Sequence, residues 1–409
     1  MPGVWTKDIP ALEGGVQMKF LNEPIDYERP DPHYMFRQVL FEEIGEAIGK
    51  VMVHGQFING PEVGALEGRL SEYVGVKHAL GCASGSDALL VALMAHGVGV
   101  GDIVAVPAFG FIATAMAVLR LGAIPVFVDI DPDTFNMNPS GLVRVLRSPI
   151  THEPGYLKGV ITVDLFGLPT HYDKITDIAN EYGLWVIEDA AQSFGATYHG
   201  FRAGSLAEIG CTSFFPTKPL GCFGDGGMIF TNDDALYDRM KSICHHGIAF
   251  HAHKHSKYTH MRTGINSRLD TIQAAILGVK MGVFEAQLEL RRLSVDFYQA
   301  NITSGDIVLP TERGRSAWAQ YSVLAKNKEH RAWLRESINY FDLKTRIYYP
   351  VATHLQPVMK GFGYGPGDYP VAEEVAERIF SLPIYPMATM EDQETISRIL
   401  TQKRPIVKH

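Results

Sequence analysis

Between His78 and Asp189 the chain alternates short, wholly apolar runs with stretches of helical period. HALGCAS is followed by DALLVALMAHG, IVAVPAF by ATAMAVLRLG, and PVFVDI leads on to GVITVDLFG, a helical stretch from Tyr172 to Tyr182, and LWVIED. Apolar runs without polar alternation suit strands buried on both faces, and helix-length connections between strands suit parallel pairing. The fold expected is α/β, with a mostly parallel central sheet covered by helices and ligands at the carboxyl ends of its strands. Asp129, Asp164 and Asp189 each stand at such an end.

A chain of 409 residues is too long for one compact core. The expected division is an N-terminal arm over residues 1–34, a large domain over 35–284 and a smaller C-terminal α+β domain over 285–409. The arm is polar, with prolines and glycines and no clear period. A helix is expected from Tyr34 to Val53, and another over ALEGRLSEYVG, stopping at Gly75. GINSRLDTIQAAILGVKMGVFEAQLELRRLSVDFYQANI reads as one long helical bridge into the C-terminal domain, where WAQYSVLA and HRAWLRESINYF resume the strand and helix patterns.

The formal net charge is -8, without any Lys/Arg block, which argues against a nucleic-acid partner. No apolar run is long enough to cross a bilayer, and MPGVWTKDIPALEGG lacks the pattern of a signal peptide, so a cytoplasmic protein without a membrane anchor is expected. Cys82, Cys211, Cys222 and Cys244 form no CxxC pair, and a disulfide framework is not expected.

The chemistry concentrates between Leu184 and Gly227. LWVIE reads as a buried strand running into Asp189, with Gln192 three residues later, and CTSFF from Cys211 to Phe215 as a second strand. The second strand enters PTKPLGCFGDGG, where Lys218 lies between Pro216 and Pro219 in a glycine-rich loop. A restrained lysine and a carboxylate at a strand end suit pyridoxal phosphate, whose aldehyde needs an amine and whose pyridine nitrogen needs an anionic partner. Taken singly, Lys218 could be a solvated loop lysine and Asp189 a helix cap. Ser84-Gly85-Ser86-Asp87, between a strand and a helix, offers amides and a hydroxyl to a phosphate; simple capping by Ser84 or Ser86 is the plainer reading. Phe109 and Phe111 follow the strand IVAV, where an aromatic ring could cover one face of a pyridine or belong to the core.

The segments EDAAQSFGA, SFFPTKPLGCFGDGG and GINSRLDTIQAAIL resemble the sugar aminotransferases of the DegT/DnrJ/EryC1/StrS family, within the fold-type I pyridoxal phosphate enzymes. The likeness runs from about Gln56 to near the C-terminus. It implies that Lys218 is the catalytic lysine and that Gly85, Ser86, Ser213 and Asn266 hold the cofactor phosphate. It further implies that Phe111 stacks on the ring, Asp189 pairs with the pyridinium and Gln192 reaches the ring's phenolic oxygen or packs near it. Asn266 and Arg268 match positions that family members contribute from a neighbouring subunit, so the resemblance implies a homodimer with shared sites. Arg268 would bind the carboxylate of the amino donor, with L-glutamate expected.

Tyr321, Tyr349 and His354 match segments that lie near the substrate in the family; Tyr348 stands where several relatives carry histidine. The implied reaction moves an amino group to a keto group of a nucleotide-linked sugar for polysaccharide or glycoconjugate assembly, with pyridoxamine phosphate as the carrier between half-reactions. The branch that looks most similar aminates the 3-keto group of a UDP-linked N-acetylhexuluronic acid, with a 4-keto sugar open. A dehydratase on the same fold carries histidine at the lysine position, so Lys218 argues against it; a non-catalytic relative is the other alternative. The loop from His245 to His260 has His251, His253 and His255 alternating without acidic or cysteine ligands, and no metal is expected there.

Overall fold

The structure is a computed structural model that describes residues 32–148, 157–250, 258–312, 314–385 and 389–402. The arm up to residue 31, and His251, His253 and His255, lie outside the described residues. The chain separates into a unit ending at Glu42 and a unit from Glu43 onward. Helix α1 spans Pro32–His54, and α2 spans Pro61–Val74. A proline opens α2, and Gly75 closes it at φ 82° with its amide on the Ser71 carbonyl, a left-handed stop that glycine adopts without strain.

The elements then follow as β1 (His78–Cys82), α3 (Gly85–Ala95), β2 (Ile103–Pro107), α4 (Ala113–Arg120), β3 (Ile124–Val128), α5 (Pro139–Leu146), β4 (Leu157–Val163), α6 (Tyr172–Glu181) and β5 (Trp185–Asp189). A small hairpin of β6 (Thr197–Tyr198) and β7 (Phe201–Arg202) precedes β8 (Ile209–Ser213), β9 (Gly227–Thr231) and α7 (Asp234–Cys244). Seven strands form one sheet in the order β1-β9-β8-β5-β4-β2-β3. The run from β8 to β3 is parallel throughout, and β9 lies antiparallel to both β8 and β1.

The period of two along β2 shows why both faces are apolar. Val104 and Val106 join the core formed with Leu89 and Leu93 of α3, whereas Ile103 and Ala105 join the one formed with Leu142 of α5 and Ile175 of α6. Such a sheet leaves open only its strand ends, which is where the polar side chains gather.

The expected long helix is two, α8 (Thr271–Lys280) and α9 (Phe284–Asn301). Gly282, a poor helix former, lies in the break, and Phe284 starts the new helix by packing on Phe194 and Tyr73. Beyond it, β10 (Ile307–Val308), β11 (Tyr321–Ala325), α10 (Lys328–Asn339), α11 (Pro370–Arg378), β12 (Ile379–Leu382) and α12 (Met390–Thr401) build a second, antiparallel sheet in the order β10-β11-β12. This sheet has its own core around Tyr298, Tyr321, Leu334 and Phe380. Val375 and Ala376 of α11 belong instead to the core of the large sheet. The strand expected over Cys211–Phe215 is displaced: β8 ends at Ser213, after which Phe214 turns into the core and Phe215 is exposed.

Candidate active site

The three acidic strand ends have different fates. Asp129 accepts from the amides of Val371 and Ala372, so it caps α11 and is consumed by packing. Asp164 is fully buried, accepting from Ser193 Oγ at 2.8 Å, Tyr172 Oη at 2.8 Å and the Thr170 amide at 2.9 Å. Asp189, the last residue of β5, is buried at 7% exposure, with Thr114 Oγ1 donating to Oδ2 at 2.8 Å and the Ala191 amide to Oδ1 at 3.2 Å. Burial pushes its carboxyl up, while Thr114, the Ala191 amide and the charge of Lys218 pull it back down.

Lys218 answers from the loop after β8. Burial lowers its ammonium and the charge of Asp189 raises it, so the two groups act on each other across a weakly solvated space. The loop is fixed from several sides: the Lys218 amide donates to the Phe215 carbonyl at 2.9 Å, and the Cys222 amide to the Phe214 carbonyl at 2.8 Å. From α8, Gln273 Oε1 accepts from the Phe223 amide at 2.9 Å, and Lys280 Nζ donates to the Gly221 carbonyl.

Gln192 is buried beside this pair. Its Oε1 accepts from the Phe166 amide at 2.8 Å, and its Nε2 donates to Tyr349 Oη at 3.2 Å. The Tyr349 ring lies 6.0 Å from that of Phe111 and 6.1 Å from that of Phe109. Phe109 is a core residue at 1% exposure, whereas Phe111 is 54% exposed and can present a ring face.

The start of α3 closes on the end of β8. Ser84 caps the helix by accepting from the Asp87 amide at 3.1 Å, leaving the preceding amides of Gly85 and Ser86 without helical acceptors. A Cβ on Gly85 would stand 2.6 Å from Ser213 Cβ, and one on Gly227 2.5 Å from the Ser84 carbonyl oxygen, so only glycine permits this approach. Helix amides and the Ser213 hydroxyl thereby converge in a cradle with the character of an anion site. A phosphate cradle, a ring face at Phe111, an acceptor at Asp189 and an amine at Lys218 fit pyridoxal phosphate.

Residues 39–401 match the profile of the DegT/DnrJ/EryC1/StrS aminotransferase family. The chain belongs to this family. The UDP-2-acetamido-2-deoxy-3-oxo-D-glucuronate aminotransferase of Pseudomonas aeruginosa is 42% identical over 362 residues, which cover 88% of this chain and 96% of that protein. The crystal structure of a DegT DnrJ EryC1 StrS aminotransferase from Brucella abortus superposes with a TM-score of 0.84 at 42% identity, covering 90% of this chain and 96% of that one. NtdA of Bacillus subtilis, solved with bound cofactor PMP, gives a TM-score of 0.80 at 31% identity, covering 88% and 81%. The sugar transaminases among the chain's relatives support the aminotransferase reading over the dehydratase and non-catalytic ones.

Within this aminotransferase the structure gathers Gly85 with Ser213, Asp189 with Lys218, and Gln192 with Tyr349 and Phe111. Ser86 is exposed at the start of α3. Two expected substrate residues are enclosed by packing contacts. Tyr321 is fully buried in the C-terminal core against Tyr298 and Trp318, so its position in β11 makes it a packing residue. His354 is also buried; its Nε2 lies 3.1 Å from Glu373 Oε1 of α11 and its ring packs on Tyr369, so it too is held inside the fold. Asn266 and Arg268 are joined to each other by a hydrogen bond from the guanidinium to Asn266 Oδ1, at a part of the surface that borders exposed apolar residues.

Two participants escape the sequence reading. Thr114 is one of several small residues in ATAMAV, and only the approach of its hydroxyl to the end of β5 gives it Asp189 as a partner. Phe166 contributes through its backbone, at φ 61°, which no side-chain pattern announces. Among the described residues no group of His, Cys, Asp and Glu could hold a metal ion, and no helix is long and apolar enough to cross a membrane. All four cysteines are free and buried.

Proposed function

We propose that this aminotransferase moves an amino group from L-glutamate to the 3-keto group of a UDP-linked N-acetylhexuluronic acid, in a cytoplasmic route to a surface polysaccharide or glycoconjugate. The observation that carries the reading is the buried, mutually compensating Asp189–Lys218 pair on a family frame. The sugar follows from the resemblance of the lysine loop and of NSRLDTIQAAIL, supported by the 42% identity to the Pseudomonas aeruginosa relative.

Bound pyridoxal phosphate supplies an electron sink that makes the donor's α-proton removable. The amides of Gly85 and Ser86, with the Ser213 hydroxyl, hold its phosphate, and Asp189 holds the ring nitrogen's proton by charge. Gln192 can direct an amide N–H at the phenolic oxygen because its own oxygen is taken by Phe166. Phe111 covers one ring face and shields it from water. Lys218 would hold the cofactor through Nζ, and the same amine, weakened as a cation by burial, would be the group that moves the donor's α-proton. The second half-reaction runs these proton movements in reverse on the keto sugar.

Asn266 and Arg268 serve a partner's site in a homodimer. The support is local: Phe57 and Ile58 are anchored to Thr271 and Asp270 at the start of α8, and Phe223 to Gln273, leaving three exposed apolar side chains around that helix start. Such a patch beside Asn266 and Arg268 suits burial by a second copy.

A panel of UDP-, dTDP- and GDP-linked 3-keto and 4-keto sugars, assayed with glutamate for 2-oxoglutarate release, tests the substrate. Preference for a dTDP- or GDP-linked sugar would overturn the UDP assignment. Lys218→Ala tests the chemistry: the longer-wavelength band that marks the bond between pyridoxal phosphate and Nζ, and turnover, are both lost while the circular dichroism stays that of the parent.

A further inference from the structure

We propose that Thr114 is a positioning residue that fixes the Asp189 carboxylate for the cofactor's ring nitrogen; this rests on the cofactor reading above. Thr114 stands in the first turn of α4 at 4% exposure, and its hydroxyl hydrogen goes to Asp189 Oδ2 at 2.8 Å. The Ala191 amide takes the other oxygen at 3.2 Å. One donor on each oxygen sets the plane of the carboxylate, leaving its remaining lone pairs to meet a ring N–H.

The hydrogen bond also acts on charge. The ionisable groups around Asp189 are Lys218, Tyr349 and Cys211. Burial and nearby acids push both Tyr349 and Cys211 up, so they are neutral near pH 7 and offer Asp189 no positive charge. Ionisation of Asp189 therefore rests on Thr114, the Ala191 amide and Lys218, with Thr114 the largest of these opposing influences. Threonine suits the task because its branched Cβ restricts χ1, and a helical threonine that bonded its own preceding turn would lose this partner.

The test is an equilibrium titration of pyridoxal phosphate into cofactor-free protein, followed by visible absorbance from pH 5.5 to 8.5, for the parent, Thr114→Val and Thr114→Ser. Loss of the hydroxyl lets the Asp189 carboxyl rise further, so more of it is protonated at a given pH. Thr114→Val should bind about ten-fold more weakly near neutrality. Its affinity should fall on acidification at a higher pH than in the parent, and Thr114→Ser should recover both. Circular dichroism of each variant separates this from unfolding. A folded Thr114→Val with the parent's affinity and pH profile would overturn the role of Thr114, as would a Thr114→Ser that matched the valine variant. If the parent itself gained no visible band, the cofactor reading would fall, and this inference with it.

Discussion

The backbone amide of Phe166 donates to Gln192 Oε1 at 2.8 Å, and this single contact decides which way the Gln192 amide faces. An N–H can only meet the oxygen, so the NH2 group must point the other way, where it meets Tyr349 Oη at 3.2 Å. A second N–H of the same group is then available toward the Asp189–Lys218 space. Gln192→Glu would keep the acceptor for Phe166, remove both donors and bring a second anion close to Asp189. Its affinity for pyridoxal phosphate should fall at least about ten-fold, measured by absorbance titration. Unchanged affinity would show that the amide's donors are not used.

The parts of this site visible in the sequence are those whose chemistry is local. Lys218 is marked by its flanking prolines and Asp189 by the apolar strand before it, and both are legible without knowing what lies across the sheet. Thr114 and Phe166 are defined only by what crosses them in space. Tyr321 and His354 show the converse: their polar side chains are enclosed by neighbours from remote elements, Tyr298 and Glu373, which the sequence does not announce. The helix break at Gly282 was visible as a glycine, yet the strong helical period on both sides concealed it.

Behind the site, Asp164 and Glu188 are two fully buried acids whose ionisations influence each other. Burial raises both; Asp164 is pushed up to about 6 despite the donors that oppose the rise. The folded protein therefore holds a proton there more tightly than the unfolded chain does. This contribution to stability is complete below the ordinary carboxyl range near 4 and is lost as pH rises through about 6. Asp164→Asn, neutral at every pH, should escape that loss. The thermal midpoint of Asp164→Asn relative to the parent should thus increase from pH 4 to pH 7, by differential scanning calorimetry. A difference that stays flat would mean that Asp164 does not titrate in this window.

Tyr321 permits a sharp separation between packing and substrate binding. Its ring is enclosed in the C-terminal core, and its hydroxyl has no hydrogen-bond partner among the described residues. Removing that oxygen relieves an unsatisfied group and leaves the ring contacts intact. Tyr321→Phe should be at least as stable as the parent, with KM for the sugar unchanged, whereas Tyr321→Ala should cost about 3–5 kcal/mol, a range taken from buried aromatic deletions. A rise in KM for Tyr321→Phe without loss of stability would return the residue to the substrate site.

The proposed sharing of the site can be tested by complementation, because a homodimer that exchanged Asn266 and Arg268 between subunits would make two defects separable. Lys218→Ala and Arg268→Ala should each be inactive as homodimers. In a mixed dimer the subunit that keeps Lys218 receives the intact Arg268 of its partner, while the other site carries both defects. Random pairing at equal amounts makes half the dimers mixed, each with one working site, so co-expression should restore about a quarter of the parent's activity. The expectation does not depend on which sugar is used, since glutamate consumption in the first half-reaction already reports it. Purification through two different tags isolates the mixed species, whose activity should then approach about half. Mixed dimers as inactive as either parent would place Arg268 and Lys218 of one chain in the same site.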